Sequence, residues 1–570
     1  GDVVFLAKSI LNLADVDVTE STQNAACRDV LLRTAVERYN RALFIVCDGI
    51  PEADRQLYIV KVGCCETEWR CLDGLETAYR LQGNIESAVW CADAKHLSIV
   101  TQSLRKNIEK LPRSSLLIHY PTTQPDSIEK CAEKLLNLRS HVSDFVKRKF
   151  IHYDVRELMR FLGVDIIVMY SLYWEYGDEV FAYVIHETFT DWKVVPMKFS
   201  ASSSKALASE HGLFRTLIVG DALDMPLLPH TIYAAGEAAE SPSDLDSSLV
   251  HLYRDFFAPL EDIVHELPGC RTMCIVSDGL IANIPFAMLQ DHNGKYLIDR
   301  FAISIVPSLE LLAQLQQRAA DRNSHSVDTT VLYLRHKSGS LHQDNDQPPS
   351  LRRTDRAEKI IQSRDELADA ASNMNTSVAV LSLPTICEMK DDYTGAFMIN
   401  SERLSSQEIV DNWKDTRWRT IVLDGMSCFT YRVTHESTIS LARALLVSGA
   451  DRTVGMLWVD KKYNLSVTNS LREISLKILS KLEPAYSENS FSPLKPKPST
   501  LLETAATEPE YDSGTHTYHP FLEALVDEFA AVPTGEFGAI AKALQKFQLQ
   551  CIRNGISRWA WGRFTIVGLP

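Results

Sequence analysis

MCIVSDGLIANIPFAMLQDHNGKYLIDRFAISIVPSLELL, residues 273–312, alternates short apolar runs with turn-forming residues. Cys274-Ile275-Val276 reads as a buried strand closed by the turn signal Ser277-Asp278-Gly279. Pro285 lacks the N–H that a central strand would donate, so 280–286 reads as an irregular apolar segment. Asn293-Gly294 marks a tight turn, 301–306 a second strand, and Pro307-Ser308 the start of a helix. Two strands, an apolar link and a helix predict an α/β core.

The same residues, taken in order, resemble the CHAT domain, the caspase-like peptidase module usually attached to tetratricopeptide repeats. The resemblance rests on Asp278-Gly279, Pro285-Phe286, Tyr296-Leu297 and Pro307-Ser308, with Leu252-Tyr253 and Ala258-Pro259-Leu260 upstream and Trp561-Gly562-Arg563-Phe564 downstream. It covers most of residues 150–570. It implies an α/β fold, a caspase-like mostly parallel sheet flanked by helices, preceded by an all-α tetratricopeptide-like helical array.

Working outward, residues 1–148 carry long stretches of helical apolar periodicity and few β-branched runs. Within 75–92 two helical faces flank Gly83-Asn84, and Ala78, Gly83, Ala88 and Ala92 are small enough for two antiparallel helices to approach closely. This unit resembles a tetratricopeptide repeat; a non-repeating helical bundle is the alternative, since no clean second copy of the period is found. Residues 149–570 read as the CHAT-like domain, with a hairpin and helical part at 149–268 and the core at 269–570. Runs at 165–173, 180–185 and 192–199 predict a strand meander, and a helical stretch over 221–268 is broken by the Pro-Ser-rich 240–247. Segments 318–327, 336–353 and 482–520 are rich in polar and turn residues and are expected to be disordered inserts.

The chain has 570 residues, 45% of them hydrophobic, enough for roughly two to four domains. Its formal net charge of -15 argues against nucleic acid and anionic membrane surfaces and for protein partners. No run reaches the roughly 18 apolar residues of a membrane span, and residues 1–10 lack the basic start of a secretory signal. Gly1 stands where a methionine would open a complete chain, so a piece of a longer protein is expected. Twelve cysteines are too sparse for a disulfide scaffold, and Cys64-Cys65 and Cys71 lack a paired zinc-site partner. A reducing cytoplasmic setting with mostly packed thiols is expected, without metal or cofactor: no phosphate-binding glycine loop occurs at a strand-to-helix turn, and His516 and His519 lack a ligand cluster.

The family resemblance locates the chemistry. In the caspase-like fold a histidine follows one parallel strand and a nucleophilic cysteine follows the next. The imidazole matters because a free thiol, with a pKa of about 8.5, is mostly protonated at neutral pH. After the predicted strand 377–383 this chain reads Pro384-Thr385-Ile386 in place of the family histidine pattern, with Thr385 at the histidine position. Threonine cannot act as an imidazole-like base. After the strand 419–423 comes Asp424-Gly425-Met426-Ser427-Cys428, which puts Met426 at the cysteine position. A two-residue insertion would instead align Cys428, with His435 as a possible base in a rearranged loop. Beyond the next strand, Trp458 and Asp460 occupy the pocket-like segment, which is one residue short and carries Lys461 and Lys462. The residues therefore favour a pseudo-peptidase that binds protein through its helical half, with a peptide segment in the cleft. The alternatives are a cysteine endopeptidase using Cys428 after partner-induced activation, and a structural subunit of a larger complex.

Overall fold

The computed structural model describes residues 2–47, 58–97, 154–173, 179–189, 192–198, 242–267, 269–277, 281, 284–322, 329–336, 356–383, 385–387, 395–399, 402–413, 416–423, 441–456, 520–532, 538–556, 561–562 and 564–570. Helices α1 (Asp2–Gln23), α2 (Arg28–Cys47), α3 (Tyr58–Leu81) and α4 (Ile85–Leu97) come first. The expected break falls between α3 and α4. Gly83 adopts φ +77, Asn84 N–H returns to Tyr79 O at 2.9 Å, and the Asn84 side chain accepts from Ser87 N–H at 3.2 Å. Glycine ends one helix and asparagine caps the next.

After α5 (Val155–Leu162), strands β1 (Ile166–Tyr173), β2 (Glu179–His186) and β3 (Lys193–Lys198) form the expected antiparallel meander. Helix α6 (Pro242–Phe256) corrects the reading of 240–247 as a break: Pro242 is its first residue, where a missing N–H costs nothing. Helix α7 (Glu261–His265), β4 (Thr272–Val276), β5 (Ala302–Val306) and α8 (Leu309–Arg322) follow. They are succeeded by β6 (Thr329–His336), β7 (Arg356–Ile361), α9 (Arg364–Asn373) and β8 (Thr376–Ser382). Short strands β9 (Thr385–Cys387), β10 (Gly395–Ile399) and β11 (Glu402–Ser405) precede α10 (Ser406–Asn412) and β12 (Trp418–Leu423). The remaining elements are α11 (Leu441–Val447), β13 (Arg452–Met456), α12 (Pro520–Ala530), α13 (Ala539–Arg553) and β14 (Phe564–Gly568).

Among the described residues, eleven strands form one sheet in the order β3-β2-β1-β4-β5-β14-β13-β12-β8-β6-β7. It contains two parallel blocks. Strands β1, β4, β5 and β14 run one way. Strands β13, β12, β8, β6 and β7 run the other, and the blocks meet at the antiparallel β13–β14 pair. Every residue of β4, β5 and β12 is buried, which explains their largely apolar character: parallel strands covered on both faces need no polar side.

The expected insert at 318–327 is corrected in its first part, because Arg318 to Arg322 complete α8. Arg318 donates to Leu446 O at 2.7 Å and Arg322 to Gly449 O at 2.6 Å, so these cations close the carbonyl end of α11. His336, read as the start of the second insert, ends β6, and Pro520, read as the end of the third, begins α12. Residues 337–353 and 482–519 lie outside the described residues.

The helical region is locked to the sheet by buried polar groups. Glu76 accepts from Tyr183 Oη at 2.7 Å, Ser171 Oγ at 2.8 Å and Lys95 Nζ at 2.9 Å, while Lys95 also meets Asp73 at 2.7 Å. Burial pushes the Glu76 carboxyl up, but Lys95 and the two hydroxyls outweigh it and hold the group below its ordinary range. Arg80 stacks on Phe181 of β2, and Trp90 meets Trp192 edge-on. The Leu252-Tyr253 motif is a brace: the Tyr253 hydroxyl and Arg300 both donate to Glu261, and Arg300 packs over Phe257 and Phe301.

Candidate functional site

Strands β8 and β12 are parallel neighbours, with register running from Trp418 opposite Thr376 to Leu423 opposite Leu381. Their carboxyl ends are therefore level. On its other side β8 pairs with β6, where Arg335 lies opposite Ser382. The chain steps from β6 outward to β7, then returns to β8 across β6. Such a reversal opens a crevice at the carboxyl ends of the strands, the usual ligand position of an open α/β sheet.

Thr385 sits just past this edge as the first residue of β9, its backbone opposite Phe397 of β10 in a separate sheet ordered β11-β10-β9. Met426, Cys428 and His435 lie outside the described residues, as do Trp458 and Asp460. The structure thus aligns the two strands that lead to the Thr385 and Met426 positions, and β9 carries Cys387 two residues beyond Thr385.

One histidine at this edge escaped the sequence reading. His336 is the last residue of β6, one position past the Arg335 that faces Ser382. The polar composition of 336–353 hid it. The signal available was the apolar run Val331-Leu332-Tyr333-Leu334, which is fully buried.

The surrounding frame is fixed by capping. Ser405 accepts from Glu408 N–H at 3.2 Å, and the Glu408 carboxylate accepts from Ser405 N–H at 2.8 Å, a reciprocal cap at the start of α10. Arg364 at the head of α9 reaches the same carboxylate at 2.6 Å. Partial burial pushes Glu408 up, yet the Ser405 hydrogen bonds and Arg364 hold it below the ordinary carboxylate range. Beyond α11, Gly449 adopts φ +131, and a Cβ there would lie 2.6 Å from Thr416 N. Only glycine lets this turn pass so close to the strand leading into β12.

Among the described residues Cys71, Cys91, Cys274 and Cys551 are buried thiols outside any disulfide. Burial pushes both Cys274 and Cys551 up to about 12, so these are neutral packing groups.

With this geometry in place, comparison with known proteins is informative. Residues 246–394 match the CHAT domain. The CHAT match runs from α6 to just before β10; it includes the Thr385 position and stops ahead of β12. It is narrower than the 150–570 span over which the motifs were traced. A chain of the Saccharomyces cerevisiae separase–securin complex, in a 3.0 Å crystal structure, is similar over 99% of this chain and 40% of its own, at 9% identity and TM-score 0.49. A chain of the same complex at 2.6 Å is similar over 100% and 40%, at 9% identity and TM-score 0.42. This chain spans about 40% of the length of those chains. No curated protein matches it in sequence.

Proposed function

We propose that this chain is a CHAT-type pseudo-peptidase that acts by binding protein. The observation that carries the reading lies just past two level strand ends: Pro384-Thr385 after β8 and Gly425-Met426 after β12, where the family resemblance requires histidine and cysteine. A frame that keeps its register while lacking base and in-register nucleophile suits recognition better than turnover. The helical half supplies the partner surface in this reading, and Phe5, Leu6, Leu13 and Val16 of α1 are exposed there. The carboxyl-edge crevice is then a place for an extended peptide segment. The free thiols suit a reducing, cytoplasmic setting, and no helix of the described residues is long and apolar enough to cross a membrane.

One observation favours a second reading. His336 ends β6 at the same edge, so an active peptidase could draw on it, rather than on His435, as the base for Cys428. Incubation with a fluorogenic peptide library separates the two. The pseudo-peptidase reading expects no turnover above that of a Cys428→Ala control; turnover abolished by that substitution overturns it.

A further inference from the structure

Helix α8 is held at each end by a different part of the molecule. At its head, both carboxyl oxygens of buried Asp93 on α4 accept from the Leu309 and Glu310 N–H groups, while the third amide, that of Leu311, uses the local Ser308 cap. At its tail, Arg318 donates to the Leu446 carbonyl and Arg322 to that of Gly449, both at the carboxyl end of α11. Arg419 of β12 returns a bond to the Arg322 carbonyl at 3.2 Å. The helical region grips one end; the α11 turn and β12 grip the other.

Between those ends α8 is a rod. Its 14 residues span about 21 Å, and Leu309, Leu311, Leu312, Leu315 and Ala319 are buried along its length. Arg318 and Arg322 stand four residues apart, one turn above the other on a single face. A close-packed rod passes a displacement of its head to its tail, because its buried side chains have no slack to absorb it.

Both grips lead to places where a displacement matters. At the tail, Thr416 N–H donates to Ser448 O at 2.9 Å and Asp451 N–H to Arg419 O at 3.0 Å, so the turn after α11 and the entry to β12 are stitched into one joint. Arg322 also approaches the buried Asp451 carboxylate at 3.5 Å. From this joint β12 runs to the strand end level with that of β8, and the Met426 position follows. At the head, Asp93 lies two residues from Lys95, whose ion pairs with Asp73 and Glu76 tie α4 to α3. Glu76 in turn holds Ser171 of β1 and Tyr183 of β2.

We propose that α8 is a coupling strut: the Asp93 cap at its head sets the order of the joint at 416–419 and 448–452, and through β12 the order of the candidate edge. The head has two states, capped by Asp93 and Ser308 together or by Ser308 alone. In the second state the Leu309 and Glu310 N–H groups lose their acceptor and the first turn frays. Arg318 and Arg322 then lose the seat that aims them at the α11 carbonyls. A partner that strains α4 thereby reaches the edge without touching it, and this last step alone rests on the protein-binding reading.

The test is hydrogen exchange of the full chain, read by mass spectrometry in peptides covering the head (309–312), the joint (416–419 and 448–452) and, as the reference for global loosening, β6 (331–334). In Asp93→Ala, exchange at the joint should rise at least about fivefold more than in β6. Coupling is reciprocal, so Arg322→Ala, which breaks the tail alone, should raise exchange at the head by a similar factor. Asp93→Asn keeps one acceptor oxygen and should fall between Asp93→Ala and the native chain. A joint that loosens no more than β6 in Asp93→Ala overturns the proposal, as does a head untouched by Arg322→Ala. Should Asp93→Ala fail to fold, Arg322→Ala decides alone. These measurements need no partner, so their failure refutes the strut and leaves the protein-binding reading standing.

Discussion

Asp93 of α4 caps a helix that begins 216 residues later, accepting from Leu309 N–H at 2.5 Å. Its second oxygen accepts from Glu310 N–H at 3.0 Å, and the local Ser308 hydroxyl accepts from Leu311 N–H at 3.1 Å. Helix α8 therefore begins correctly only with the helical region in place. Burial pushes the Asp93 carboxyl up to about 7, against the two N–H donors and with help from Glu310.

The first prediction concerns pH. Because the folded value lies above the ordinary 3.8, the native chain holds a proton at Asp93 that the unfolded chain has lost, from the ordinary carboxylate range to about 7. The stability from this group is complete below that range and disappears as pH rises through about 7. Thermal melts should show stability falling across the upper half of this window. Asp93→Asn, neutral throughout, should flatten that slope; an unchanged slope would assign it to other groups.

The second concerns Lys95, which stands between Asp73 and Glu76 with all three side chains buried. Lys95→Met leaves two carboxylates without their counter-ion and should cost about 3–5 kcal/mol in urea unfolding. Adding Glu76→Gln should recover part of that loss, since an uncharged amide can accept from one of the Tyr183 and Ser171 hydroxyls and donate to the other. Equal stability of the single and double variants would mean that the network is not electrostatically coupled.

Much of this architecture is legible from residues. The Cys274-Ile275-Val276 run, the 301–306 run, the meander and the Gly83-Asn84 break all became the elements their patterns announce, because local turn chemistry and burial agree there. The failures share one cause. Arg318 and Arg322 look like residues of a polar insert, yet they lie on a helix whose cations close another helix's carbonyl end. His336 was lost in the same way, since a strand's last residues take the composition of the loop after it. The Asp93 cap joins groups too distant in sequence for any local signal. The candidate edge was legible in its strands, while Met426, Cys428, His435, Trp458 and Asp460 lie outside the described residues.

The third prediction separates two glycines with positive φ. A Cβ on Gly83 would meet nothing within 4 Å, so Gly83→Ala should cost only the left-handed penalty, about 1–2 kcal/mol. At Gly449 the same Cβ would lie 2.6 Å from Thr416 N and 3.0 Å from Thr416 O. Gly449→Ala must displace backbone and should cost more, above about 2 kcal/mol. Calorimetry of the two variants compares them directly, and equal losses would contradict the close approach.

The last prediction addresses the edge itself. Activation of a thiol by an imidazole shows in the pH dependence of its alkylation: an activated thiolate reacts at a pH where an ordinary thiol is still protonated. If the edge is chemically silent, modification of Cys428 by iodoacetamide should rise with pH as an ordinary thiol's does, and His336→Ala should leave the profile in place. If β6 instead supplies a base, the profile will begin at lower pH and move upward in His336→Ala. His435→Ala tests the loop histidine by the same measurement. Peptide-level mass spectrometry follows Cys428 separately from buried Cys274 and Cys551, whose modification should require unfolding. Because alkylation needs no substrate, the result bears on the pseudo-peptidase reading even if the peptide library lacks the right sequence.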